Sequence, residues 1–243
     1  MSYYKLPFLN NIINSKDIIV KFTDSKENID DMVIINPSLY FYLKQSKEQI
    51  SYNYKEWDIY KKITNPYEFI HTNYDKNNYI SRLKPLSRAY YKMIELINDF
   101  NLYKDESNPI KTFHLAEGPG GFIEAIVNVR QNPLDEYYGM TLIHDSDNIP
   151  GWKKSNDFLN KYKNIFIERG TTGNGDLYSY DNLMYIKKNH QHKYELVTGD
   201  GGFDFSIDFS KQEINATRLI FSQIIFALIL QKNRGSFVLK VFD

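Results

Sequence analysis

From Ile110 onward the chain alternates short apolar runs with longer segments of helical character, and nothing else in the sequence constrains the fold as strongly. Strands are predicted at 111–115, 137–142, 165–168, 194–198 and 236–242, with helices at 122–129, 152–161, 179–188 and 211–232. Such alternation predicts an α/β fold, a mostly parallel Rossmann-like sheet with helices on both faces. Ligands of these sheets bind beyond the C-terminal ends of the strands. One more helix is predicted over 79–100, where Leu83, Leu86, Tyr90, Met93, Ile94 and Ile97 fall on one stripe. Residues 1–78 are polar and tyrosine-rich, with little clean periodicity and short apolar patches at 32–35 and 39–43. They read as an N-terminal extension on a main domain spanning 79–243.

The first predicted strand runs into HLAEGPGGF, residues 114–122. A strand, a glycine turn and a helix start form a small-molecule cradle. The dinucleotide fingerprint G-x-G-x-x-G fits Gly118 and Gly120, but its third glycine falls on Ile123. Pro119 stiffens the loop, Gly121 removes a side chain where the helix begins, and Phe122 opens it. Glu117 puts a carboxyl at the strand end, which suits a cation or hydroxyls better than a pyrophosphate. S-adenosylmethionine (SAM) carries a sulfonium, an ammonium and a ribose, and no phosphate. The alternative is a tight turn that holds no ligand.

Composition narrows the partners. Formal net charge is zero, from 30 Lys and Arg against 30 Asp and Glu, so any nucleic-acid site must be a local patch. Cysteine is absent, which excludes disulfides, thiolate zinc sites and a cysteine nucleophile. The five histidines show no metal-ligand spacing, with His190 and His192 flanking Gln191 in a predicted loop, and no metal is expected. The apolar run 219–230, broken by Ser222 and Gln223, is too short to span a bilayer and reads as a buried helix, so no membrane partner is expected.

Three further residues stand out. Asp200 follows a buried strand, with Gly199, Gly201 and Gly202 leaving room for a ligand. Lys240 sits in SFVLKVFD, an otherwise buried strand, where a lysine is costly unless its ammonium reaches water or a partner. A snorkelling lysine at a strand end is the alternative. Lys92 lies on the apolar-striped helix, and alone would read as an ordinary solvated residue.

Taken in order, HLAEGPGGF, YGMTL, GTTGNGDL, GDGGFD and GSFVLKVFD resemble the FtsJ-type ribose 2′-O-methyltransferases, above all the branch that methylates the first nucleotides of capped mRNA. The resemblance covers roughly residues 81–243. It implies a SAM-binding Rossmann-like domain with a Lys-Asp-Lys-Glu tetrad, whose first three members map onto Lys92, Asp200 and Lys240. It maps the SAM loop onto Glu117 to Phe122 and matches Asp176 in GNGDL to an acid near the cofactor. By this resemblance Lys240 deprotonates the ribose 2′-OH while Lys92 and Asp200 place it. The family's final Glu has no counterpart before Asp243, and Glu195 and Glu213 do not substitute for it by position. The expectation is a piece of a longer protein, with the C-terminal strands missing. The implied partners are RNA, above all the capped 5′ end of mRNA, and a capping-machinery protein. Candidate RNA contacts are Lys153, Lys154, Lys187, Lys188 and Lys193, with Tyr52, Tyr54 and Trp57 as stacking surfaces. Alternatives are a ribosomal RNA 2′-O-methyltransferase and a catalytically weak scaffold in a capping assembly. The wealth of Asn, Ile, Lys and Tyr points to an AT-rich genome. The expected site of action is the cytoplasm, the virion or viral factory for a viral protein, or the nucleus for a cellular one.

Overall fold

The computed structural model describes residues 14, 16, 19, 36–72, 81, 83–103, 107–145, 149–202 and 212–241. The chain divides into two compact units, residues 1–45 and 46–243, and the sheet belongs wholly to the second. The elements are α1 (Pro37–Tyr52), α2 (Tyr54–Thr64), α3 (Pro66–Thr72), α4 (Ala89–Phe100), β1 (Lys111–Leu115), α5 (Gly121–Arg130), β2 (Glu136–Met140), α6 (Asn156–Lys161), β3 (Ile165–Glu168), α7 (Tyr180–His190), β4 (Tyr194–Gly199), α8 (Gln212–Leu230) and β5 (Gln231–Leu239).

All five strands are parallel, in the order β3-β2-β1-β4-β5. Phe113 pairs with Tyr138 and Val197, fixing which side chains share a face. On one face Tyr90, Met93 and Ile97 of α4 and Phe122, Ile123 and Ile126 of α5 pack with Tyr137 and Leu196. On the other, Ile186 of α7 and Leu219, Phe226 and Leu230 of α8 pack with Phe113, Leu115, Met140 and Val197. Helices cover both faces, so strands that are apolar on both sides have a dry neighbour on each. The order reverses between β1 and β4, and their C-terminal ends open the crevice where such folds take ligands.

Several boundaries differ from the sequence reading. The helix predicted from residue 79 begins at Ala89. Pro85 lacks an amide hydrogen and disfavours helical backbone at Lys84, and the Leu86 amide donates instead to Glu124 Oε2 (2.8 Å). Position 79 itself lies outside the described residues, as do the apolar patch 32–35, Lys211 and residues 242–243. The helix predicted from 152 begins at Asn156, because residues 151–154 turn under the glycine loop. Strand β5 starts earlier than predicted, at Gln231, with a register shift opposite Tyr194 to Leu196 that absorbs residues between Gln231 and Ser236. The extension shows little clean periodicity, yet α1, α2 and α3 lie in it. Two of them open on the same signal. Asn36 and Asn65 accept amide hydrogens from Leu39, and from Tyr67 and Glu68, and each precedes a proline at the first helical position.

Candidate functional site

Strand β1 ends at Leu115, and Ala116 (φ 52°) turns the chain into the glycine loop. Gly120 has φ 112°, a conformation that L side chains rarely adopt, so a glycine is required there. The other loop glycines answer to packing. A Cβ on Gly118 would stand 2.5 Å from the Gly151 carbonyl oxygen, and one on Gly121 would collide with Ser87 Oγ. Segment 151–155 grips the loop from outside. Ser155 Oγ donates to the Pro119 carbonyl, and the Trp152 ring occupies the space above Gly139, where a Cβ would meet Cη2 at 2.5 Å.

Glu117 is 5% exposed, and its Oε1 accepts the amide hydrogens of Phe122 (2.8 Å) and Ile123 (3.1 Å). The protein's own carboxyl thus fills the N-terminus of α5, the place where a dinucleotide fold binds pyrophosphate. With those amides occupied by the protein itself, the arrangement fits a phosphate-free cofactor and disfavours a nucleotide phosphate. Burial drives the Glu117 carboxyl up to about 8, assisted by the negative charge of Asp200 and opposed by the two amide bonds.

Asp200 lies just past the end of β4. Its Oδ1 is 3.0 Å from Lys240 Nζ and 3.5 Å from Lys92 Nζ. Lys240 Nζ also donates to the Asp200 carbonyl oxygen (2.9 Å), and the Lys240 amide donates to the Gly199 carbonyl oxygen (2.8 Å). Three residues distant in sequence, from α4, the end of β4 and the end of β5, therefore meet at the crevice. Burial holds the Lys92 ammonium below the ordinary lysine range; Asp200 pulls the other way, and Lys240 and Arg88 reinforce the depression.

Asp176 lies in the loop after β3. Its Oδ1 accepts the Tyr178 amide (2.8 Å). That loop presses on the C-terminal end of β2, where a Cβ on Gly175 would collide with the Thr141 carbonyl; Thr141 Cγ2 also lies 3.1 Å from where a Cβ on Gly118 would stand. Thr141 thus packs against both the glycine loop and the loop that carries Asp176.

The candidate RNA contacts separate. Lys153 and Lys154 follow Trp152 on the site side of the sheet, whereas Lys187 and Lys188 close α7 and Lys193 precedes β4, at the opposite end. Tyr52 and Trp57 are exposed; the Tyr54 side chain and the Glu213 side chain lie outside what is described. Glu195 accepts the Lys111 amide (2.8 Å) and pairs with Lys232 (2.5 Å), at the start of β4 rather than at the site. His190 is the last residue of α7 rather than a loop residue; it bonds Glu168 Oε2 (2.9 Å) and the Tyr194 hydroxyl. No group of metal-binding side chains forms among the described residues, and no described helix is long and apolar enough to cross a membrane. A cavity of about 680 Å³ lies at the other end of the sheet, bordered by Val127, Pro133, Lys161, Tyr162 and Phe166.

Two internal constellations escaped the sequence reading. His114 is fully buried, with Nε2 and Nδ1 each 2.8 Å from a threonine hydroxyl, those of Thr112 and Thr198; burial pushes its imidazole down to about 3. Arg130 and Asp135, both buried, form a two-pronged ion pair (2.5 and 2.9 Å). Arg130 also donates to the Tyr103 and Asn108 carbonyls, while Asp135 accepts from the Tyr137 hydroxyl and the Ile110 amide.

The profile of the FtsJ-like methyltransferases matches residues 85–243. Cap-specific mRNA (nucleoside-2′-O-)-methyltransferase 2 of Danio rerio is 28% identical over 181 residues, 64% of this chain and 22% of that protein. The human cap-specific mRNA (nucleoside-2′-O-)-methyltransferase 1 is 27% identical over 192 residues, 74% of this chain and 22% of that protein. The chain thus spans about a fifth of the length of these curated relatives. A solved ribosomal RNA methyltransferase from Plasmodium falciparum aligns with a TM-score of 0.44 at 17% identity, over 65% of this chain and 79% of that one. SAM is the cofactor expected of such a methyltransferase. With a family profile covering well over half its length, the sheet order above and the glycine loop at its switch point, the chain belongs to the FtsJ-like methyltransferase family.

Proposed function

We propose that this chain is a SAM-dependent RNA ribose 2′-O-methyltransferase acting on the cap-proximal nucleotide of mRNA. The meeting of Lys92, Asp200 and Lys240 at the crevice carries the reading, and the names of the relatives favour the cap. Glu117 to Phe122 and Asp176 would hold the cofactor. SAM supplies an electrophilic methyl group whose sulfur departs as a neutral thioether.

The chain's own part is alignment and proton removal. A ribose 2′-OH is a weak acid, and Lys240 in its neutral amine form is assigned as the base whose Nζ lone pair takes the proton and becomes the ammonium that pairs with Asp200. Asp200 anchors Lys240 through both its carboxylate and its carbonyl, fixing Nζ at the mouth of the crevice. Lys92, on the other side of Asp200, places the hydroxyl. General-base assistance is worth about 10²–10⁴-fold.

Transfer of labelled methyl from SAM to short RNAs, with and without a 5′ cap, tests the reading. Label at a ribose of capped RNA alone is expected, as is a loss of about 10²-fold or more in Lys240→Ala with SAM binding retained. Equal label on uncapped RNA would remove the cap assignment. A Lys240→Ala variant with more than about half of wild-type turnover would remove the base. SAM binding without any transfer would leave a scaffold.

A further inference from the structure

Helix α8 is apolar through its centre except at Ser222 and Gln223, and Gln223 is fully buried. A buried amide is costly unless both of its ends are bonded. Gln223 Nε2 donates to the Leu219 carbonyl one turn back (3.2 Å), and Oε1 accepts the Gly201 amide hydrogen (3.0 Å). This bond crosses from the helix to the turn that carries Asp200.

The glycines around Asp200 have a matching explanation. A Cβ on Gly199 would lie 2.7 Å from Gln223 Oε1, and one on Gly201 would lie 2.9 Å from the same oxygen and from Leu219 Cδ2. The sequence suggests room for a ligand at Gly199, Gly201 and Gly202; at Gly199 and Gly201 the Gln223 amide occupies that space. The turn is therefore gripped from behind by Gln223. In front, the Asp200 carboxylate stands between the two lysines, and the Gly199 carbonyl holds the Lys240 amide.

We propose that Gln223 is a positioning residue for the Lys92–Asp200–Lys240 cluster: by fixing the Gly199–Gly201 backbone it sets where the Asp200 carboxylate sits between the two ammonium groups. This inference rests on the methyltransferase reading above. Gln223 touches no reacting group and acts only through Asp200.

Gln223→Met keeps the length and burial of the side chain and removes the acceptor for Gly201. The experiment compares the wild-type chain, Gln223→Met, Asp200→Asn and the double variant in steady-state methyl transfer, with SAM affinity and thermal melting measured alongside. The expected result is a fall in kcat of about tenfold or more in Gln223→Met, with KM for SAM and SAM binding nearly unchanged. In the Asp200→Asn background the same change should cost nothing further, because its route to the chemistry is gone. Losses that multiply in the double variant, or an unaltered kcat in Gln223→Met, would overturn the proposal. So would a fall in SAM affinity and melting temperature parallel to kcat, which marks a packing role alone. A wild-type chain that transfers no methyl would refute the enzyme reading instead.

Discussion

Replacing Glu117 by Gln should remove a pronounced loss of stability toward alkaline pH. The carboxyl is buried at the end of β1, beside the negative charge of Asp200, and is pushed up from 4.5 to about 8. Between those values the folded chain keeps a proton that the unfolded chain has released. The stabilisation is fully present below pH 4.5 and is lost as pH rises through 8. The whole window amounts to about 5 kcal/mol. Part of it is masked. His114, held neutral down to about 3 against 6.5 when unfolded, changes stability in the opposite sense below pH 6.5. Between pH 6.5 and 8 the Glu117 contribution is about 2 kcal/mol. Glutamine retains the Oε1 acceptor for Phe122 and Ile123, so the helix cap survives while the titration disappears. Urea denaturation of both chains at several pH values across this range gives the comparison. Wild type should lose stability relative to Glu117→Gln as pH rises. Parallel curves would refute the reasoning. Wild type gaining relative stability with pH would show that the helix N-terminus outweighs burial.

The Arg130–Asp135 pair supplies a second test, since Asp135→Asn strands a buried guanidinium: a loss of about 3–5 kcal/mol is expected, seen as a melting temperature lowered by about 10 °C, and a loss under about 1 kcal/mol would contradict it. His114→Asn should flatten the acid limb, because the wild-type contribution is full above pH 6.5 and fades as pH falls toward 3; denaturant titrations at about pH 4 and pH 6.5 decide it. Gly139→Ala drives a methyl group into Trp152 and Ile123 Cδ1, which should cost about 1–3 kcal/mol and weaken SAM binding as segment 151–155 loosens from the glycine loop; unchanged tryptophan fluorescence and affinity would count against the contact.

The sheet was legible because each strand carries its own signal, a short apolar run with a glycine or polar break after it. The cluster at the crevice was legible through resemblance: Lys92, Asp200 and Lys240 occur in separate stretches, and no spacing rule links them. What escaped depends on neighbours that only the fold supplies. His114 reads as one polar residue in a strand until Thr198 is brought beside it across the β1–β4 ladder. Gln223 reads as a blemish in an apolar run until Gly201 arrives against it. The glycines of GDGG look equally like room for a ligand or room for protein, and only the packing separates the two. By contrast, the helices of the extension carried readable caps, the Asn-Pro pairs at 36–37 and 65–66, which a search for amphipathic stripes passes over.

A fully parallel sheet also imposes an order of completion. Every strand pair here is closed by a crossover, and such pairings form late because a long loop must be ordered first. The ribosome delivers Lys92, then the glycine loop, then Asp200, and Lys240 after all of them. The Lys240 amide binds the Gly199 carbonyl, so the docking of β5 on β4 is the same event that sets Nζ beside Asp200. A nascent chain can therefore possess its glycine loop while lacking a complete Lys–Asp–Lys cluster. The cluster is therefore complete only when β5 has joined the sheet.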